Sequence, residues 1–303
     1  MSNQFFLVLH SFYLSCKERY CLNPNNVVIF QYIKKFVRLH HPIKRRPSKL
    51  MSIKEGNYVI HPIPLCTVED FPRANLHWLL PVPLEDKVRD CHFVWFLEGP
   101  RENYLVDAGV TSERFASRNF RSIHIQTLDE GLRKLGLEVG DIDYIIVTHS
   151  HYDHTANLRR FPKAKALIQL AELEQIRHPF PYTQSRLPKD FQELFEGVRW
   201  EVIKGDTKID DRIELLLTPG HSAGGQSVAV KTAQGTAIIT GWCCIQENFD
   251  PPIEFKKKGF PFTISASHTN PIDLYESTRR VIDLADIIIP CHEYESLIHR
   301  TAI

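Results

Sequence analysis

An apolar, β-branched run, Tyr144-Ile145-Ile146-Val147, stops abruptly at Thr148-His149-Ser150-His151-Tyr152-Asp153-His154. A strand ending in such a loop can bring three imidazoles and a carboxylate to one point. The His-x-His alternation throws both rings to the same side of an extended segment. Imidazole nitrogen and carboxylate oxygen are suitable ligands for zinc and related divalent ions, at about 2.0–2.2 Å. A solvated turn has little use for this composition, so the chain must fold with a buried strand delivering ligands to an edge.

Two later blocks repeat the layout. The run Arg212–Leu217 leads into Thr218-Pro219-Gly220-His221-Ser222, where Pro219 and Gly220 shape a turn that can project His221 inward. The run Ile287–Ile289 leads through Pro290 and Cys291 to His292, which taken alone suits a strand-end surface residue as well as a ligand. Three strands that each end in a histidine favour the ligand reading for all three.

Further strand-like runs lie at Tyr58–Ile63, His92–Leu97, Tyr104–Val106, Ala166–Ile168, Ser227–Val230 and Thr236–Thr240. Helical periodicity covers Ile125–Leu135, Ala171–Arg177 and Asp273–Asp283, the last opened by Pro271 and capped by Asn270. Strand-rich stretches broken by helices fit an α/β (α+β) chain with two sheets between helix layers. With 43% apolar and 24% charged residues the chain reads as a globular protein, and no window reaches the about 18 apolar residues of a membrane span. Seven cysteines without a framework spacing point to a reducing, cytoplasmic setting.

The run from His149 to His154, His221 in its Thr-Pro-Gly-His-Ser turn, and Asp107 in Tyr-Leu-Val-Asp-Ala-Gly together resemble the metallo-β-lactamase superfamily. Thr218–Ser227 and Glu247-Asn248-Phe249 are most similar to its N-acyl-homoserine lactonase branch. The likeness covers roughly residues 55–295. It implies an αββα sandwich of two mixed sheets, with one metal on His149, His151 and His221 and a second on Asp153, His154 and His292. It also implies an enzyme in which a divalent metal, Zn2+ first among the candidates, lowers the pKa of water towards 7 and supplies hydroxide to a small-molecule ester or lactone. Asp153 then relays the proton to the leaving group. Asp107 either orients a ligand histidine or simply closes a strand-end turn.

One departure bears on the second metal. Members of the branch carry a bridging aspartate after the strand matching Thr236–Thr240, and a tyrosine shortly beyond it. This chain reads Thr240-Gly241-Trp242-Cys243-Cys244 instead. Cys243 or Cys244 either substitutes as a thiolate ligand or packs beneath the site, and Trp242 is a candidate wall residue. Without a substitute the second metal should bind more weakly than the first. The aromatic, proline-rich stretches His178–Tyr182 and Phe260–Phe262 suit a lid over an acyl chain or ordinary packing. Alternative readings are a thioester hydrolase of the glyoxalase II kind and a metal-binding protein with weakened catalysis.

Residues 1–50 differ in character. They hold nine Lys or Arg against Glu18 alone, a net +8, which leaves −7 on residues 51–303 from a whole-chain +1. An acidic body argues against nucleic acid as substrate. The segment is read as a basic, poorly packed extension ahead of a hydrolase domain over 51–303, in preference to a partly helical arm (Val27–Leu39) that docks on a partner or an anionic surface. A protein starting at Met51 is expected to fold and keep its activity. A melting temperature within about 5 °C of the full chain, equivalent to about 1 kcal/mol, is the outcome that supports this.

Overall fold

The computed structural model describes residues 57–116, 119–179, 181 and 191–294. The basic segment before Met51, with the helix expected at Val27–Leu39, and the aromatic Phe180 and Tyr182 lie outside those residues. Strands follow in chain order as β1 (Val59–Pro72), β2 (Lys87–Glu98), β3 (Tyr104–Val106), β4 (Ser122–His124), β5 (Tyr144–Ile146), β6 (Lys165–Gln169), β7 (Arg199–Ile203), β8 (Thr207–Lys208), β9 (Ile213–Leu217), β10 (Gln226–Thr232), β11 (Gly235–Ile239) and β12 (Ile287–Ile289). The helices that matter to the layering are α1 (Leu128–Lys134), α2 (Leu170–Arg177) and α3 (Pro271–Leu284).

One sheet has the order β4-β1-β2-β3-β5-β6-β7, the other β12-β11-β10-β9-β8, and both mix parallel with antiparallel pairs. Side-chain alternation explains the sandwich. Phe93, Trp95 and Leu97 of β2 face the inter-sheet core with Ile213 and Leu215 of β9 and Val228 and Val230 of β10. The intervening Val94 and Phe96 face outward onto α1, through Leu128 and Leu132. On the far side Leu216, Ala229 and Ile238 pack on Leu274 and Val281 of α3. Each sheet is thus apolar on both faces, which requires a helix layer outside each.

Local signals set the helix starts. Thr127 accepts a hydrogen bond from the Glu130 amide while Glu130 reaches back to the Thr127 amide, so α1 begins at Leu128 rather than at Ile125. Asn270 accepts from the amides of Ile272 and Asp273, with Pro271 in the first turn, as the sequence indicates. β4, β7 and β8 carry little apolar signal and were not expected. β2 starts at Lys87, five residues before the apolar run, because its charged beginning pairs with β1 through Val68 and Phe71.

Strand direction places the site. β3 and β5 are parallel, so Asp107 and Thr148 emerge at one edge. β9, β11 and β12 share a direction in the second sheet and end at the same edge. Gln226 ties the two sheets together there. Its main-chain N–H donates to the Thr148 carbonyl at 2.9 Å, and its side-chain NH2 donates to the Val147 carbonyl at 2.8 Å. Among the described residues no helix is long and apolar enough to cross a membrane.

Gln226→Leu is expected to strand the Val147 carbonyl and the Gln169 side-chain N–H that its amide pairs with, and to cost about 1–3 kcal/mol, read as a lower denaturant midpoint with an unchanged slope.

Candidate metal centre

The loop after β5 and the turn after β9 meet across the sandwich edge. His149 Nε2 and His221 Nε2 each lie 3.1 Å from His151 Nδ1. His221 Nδ1 donates to the Ser267 carbonyl, so its Nε2 presents a lone pair to the cluster. Burial first, and then the neighbouring imidazoles, hold His149 and His221 well below the ordinary histidine range. Rings facing one another at this distance match three ligands of a tetrahedral ion, whose donor atoms sit about 3.3–3.4 Å apart for 2.0–2.1 Å bonds.

A buried carboxylate that the sequence reading passed over braces both loops. Glu172, in α2, accepts hydrogen bonds from the Ser150 amide at 2.7 Å, the Ser150 hydroxyl at 2.6 Å and the Gly224 amide at 2.9 Å. Ser150 separates His149 from His151, and Gly224 follows His221. At Gly220 the turn runs against α3, where a Cβ would stand 2.2 Å from the Leu274 nitrogen at a φ of +121°.

Asp107 organises the second cluster. It sits at a φ of +64° and accepts from the Thr148 amide at 2.7 Å and the Thr148 hydroxyl at 2.8 Å. His154 Nδ1 lies 2.6 Å from the same carboxylate, which turns His154 Nε2 toward Asp153 Oδ2 at 3.2 Å. His292 Nε2 stands 3.6 Å from that Asp153 oxygen. Burial opposes charge on His154, but Asp153 and then Asp107 outweigh it and push the imidazole up to about 10. Burial likewise opposes charge on Asp153, yet His154 and the other imidazoles hold it well below the carboxylate range. A proton on His154 therefore balances Asp153 when no cation does.

Two residues absent from the sequence reading join this cluster. Asp90 and His92, at the start of β2, are 4% and 3% exposed. His92 Nδ1 and His154 Nε2 are buried without a hydrogen-bond partner. Unpartnered imidazole nitrogens at this depth are the donor chemistry a divalent ion satisfies, so the residues fit the metals that the resemblance implies.

One expectation needs correction, and the choice left open at the cysteines and Phe262 goes to packing. Trp242 is not a wall residue: it is 1% exposed and packs with Ile238, Phe262 and Leu274 in the core beneath α3. Cys244 also lies in that core, its sulfur 3.1 Å from the Thr240 hydroxyl, and Cys243 borders the cleft with a thiol that burial pushes well above its usual range. Among the described residues neither cysteine belongs to a group with converging ligand atoms, whereas His149, His151 and His221 form one, His154, Cys291 and His292 another, and Asp90, His92 and His292 a third. Phe262 packs in the core, while Phe260 is exposed. Gly241 cannot simply regain a carboxylate, since a Cβ there would meet the Gln226 carbonyl oxygen at 1.8 Å.

A cleft of about 280 Å³ opens over both clusters. Phe71, Phe115 and Phe120 form one side, and His151, Asp153 and His221 reach it from below. Phe120 lies 6.2 Å from the Phe71 ring and 6.3 Å from the Phe115 ring, giving a continuous apolar wall beside the polar groups.

The family model of the metallo-beta-lactamase superfamily matches residues 90–241, half of the chain. The chain belongs to this superfamily. Among curated relatives it is 30% identical over 126 residues to an N-acyl homoserine lactonase of Bacillus thuringiensis, covering 41% of this chain and 48% of that protein. It thus spans about half the length of that relative. It is 29% identical over 194 residues to an N-acyl homoserine lactonase of a Bacillus species, covering 58% of this chain and 72% of that one. Among solved structures, an N-acyl homoserine lactone hydrolase with N-hexanoyl-L-homoserine bound at its catalytic metal centre superposes with a TM-score of 0.63 at 22% identity. That superposition covers 82% of this chain and 99% of the other, and speaks for the fold.

The raised value of His154 has a stability consequence. Protonated His154 stabilises the metal-free fold fully below pH about 6.5, and that contribution is lost as pH rises through about 10. In metal-stripped protein, the melting-temperature advantage of the native chain over His154→Asn should shrink across that window.

Proposed function

We propose that this protein is a metal-dependent hydrolase that opens lactones of the N-acyl-homoserine lactone kind, with its hydrolase domain beginning near Met51. The observation that carries the reading is the juxtaposition of two carboxylate-braced imidazole clusters with an aromatic wall in one cleft. The likeness to N-acyl homoserine lactonases of Bacillus supports the choice of a lactone over other carbonyl substrates.

In this reading His149, His151 and His221 hold one divalent cation and Asp153, His154 and His292 a second, with zinc favoured by the nitrogen-rich donor sets. When bound, the cations would activate water at neutral pH and polarise the carbonyl oxygen. The protein's own residues do the rest. Glu172 and Asp107 keep the ligand rings aimed, so that little reorganisation accompanies the reaction. Asp153, which lines the cleft, takes the proton of the attacking water and returns it to the departing alkoxide oxygen. Phe71, Phe115 and Phe120 receive the acyl chain and exclude water from beside the ring. The reading carries with it a quorum-quenching role and a cytoplasmic location.

His149→Ala or His221→Ala is expected to abolish hydrolysis and most metal binding. The fall in kcat/KM should exceed the about 10–100-fold that loss of an outer partner costs. A panel of lactone, thioester and phosphodiester substrates tests the class. Higher kcat/KM on the lactone is the expected result, and a thioester preference would move the reading to a glyoxalase II-like hydrolase.

A further inference from the structure

We propose that His92 is a ligand of the second cation and that Asp90 is the carboxylate that positions both His92 and His292. This rests on the two-cation reading above and adds to it a histidine from the start of a strand.

The placement follows from strand direction. β2 runs antiparallel to β3, with Trp95 opposite Val106, so its beginning lies at the edge where Asp107 follows β3. Residues two apart share a strand face, which sends Asp90 and His92 the same way. The Cys91 amide donates to the His292 carbonyl at 3.2 Å, drawing the start of β2 against the end of β12. The two imidazoles come to rest with ring centroids 4.6 Å apart.

Their nitrogens divide into two sets. On the far side, His92 Nε2 lies 3.4 Å and His292 Nδ1 3.1 Å from the oxygens of Asp90. On the near side, His92 Nδ1 and His292 Nε2 each stand 3.6 Å from Asp153 Oδ2, which itself lies 3.2 Å from His154 Nε2. The two 3.6 Å separations match the edge of a tetrahedron with bonds of about 2.2 Å, and the 3.2 Å one lies just under the about 3.3 Å edge for bonds of 2.0 Å. The carboxylate behind two imidazoles is the arrangement that fixes a ring's tautomer and aims its other nitrogen at a metal.

His92 has no other use for that nitrogen. It is buried, Nδ1 has no hydrogen-bond partner, and the Phe115 ring closes in at 4.3 Å. The competing thiol is already engaged, because Cys291 Sγ donates to the Trp242 carbonyl at 2.7 Å. Of Gly241 and Trp242, the two positions where the resemblance points to a carboxylate, Gly241 has no room for a side chain and Trp242 is packed in the core. Asp90 places a negative charge behind the second cation in its stead.

Cobalt titration of metal-stripped full-length protein tests this, with zinc stoichiometry after dialysis as a second readout. The wild type should take up two equivalents and show no sulfur-to-cobalt charge-transfer band. His92→Ala should keep the first equivalent and bind the second at least about 100-fold more weakly. Asp90→Asn should weaken the second by about 10–100-fold, as loss of a positioning carboxylate does. His92→Cys should hold both ions and gain the charge-transfer band, a signature that a merely structural residue cannot produce. It also keeps the test alive if the alanine variant does not fold. Two equivalents of unchanged affinity in His92→Ala, no band in His92→Cys, or a band already present in wild type that Cys291→Ser removes would each overturn the proposal. A wild type that takes up no ion would instead overturn the hydrolase reading beneath it.

Discussion

Imidazole lone pairs that face one another away from water need positive charge between them, and this requirement organises the molecule. His149 and His221 each bring a nitrogen within 3.1 Å of His151 Nδ1, and His154, His292 and His92 converge on Asp153. Rings crowded in this way would separate or take up protons unless held from behind. Asp107, Glu172 and Asp90 hold them, each buried and each binding more than one partner. The cation site is thus built from its outer partners inward.

Those braces come from different layers of the fold. Asp107 follows a central strand of the first sheet, Glu172 lies in the outer helix α2, and Asp90 lies in a strand running the other way. The sandwich must be closed before any of them reaches its ring. Gln226 shows how closely closure and site are linked. Its side chain joins the sheets beside Thr148, and its main chain occupies the space that a side chain at position 241 would need. A carboxylate at 241 and this inter-sheet contact are mutually exclusive in the present backbone.

The cleft joins two chemistries in a small volume. Its floor carries carboxylate and imidazole, and its wall carries stacked phenylalanines from β1 and the segment that follows β3. A polar reacting group with an apolar tail fits such a surface better than a polyanion does, since the charge on residues 51–303 is −7 from the sequence count.

Much of this was legible in the chain itself. Local composition marked the six residues His149, His151, Asp153, His154, His221 and His292, because each lies in or just after an apolar run that ends in a turn. Periodicity marked most strands, and Asn270 with Pro271 marked the start of α3. Other features needed the tertiary structure. Glu172 reads as one more acid in a helical stretch, and only packing shows that its oxygens meet Ser150 and Gly224. Trp242 lies two residues beyond Thr240, at the strand end nearest the site, yet the chain turns it into the core. Asp90 and His92 precede an apolar run instead of ending one, so a search for histidines after strands passes over them. Sequence determines which side chains are available and the local repeat on which they lie. Which strands run antiparallel is decided by long-range pairing, and that pairing brings the start of β2 to the edge where β3, β5, β9 and β12 end.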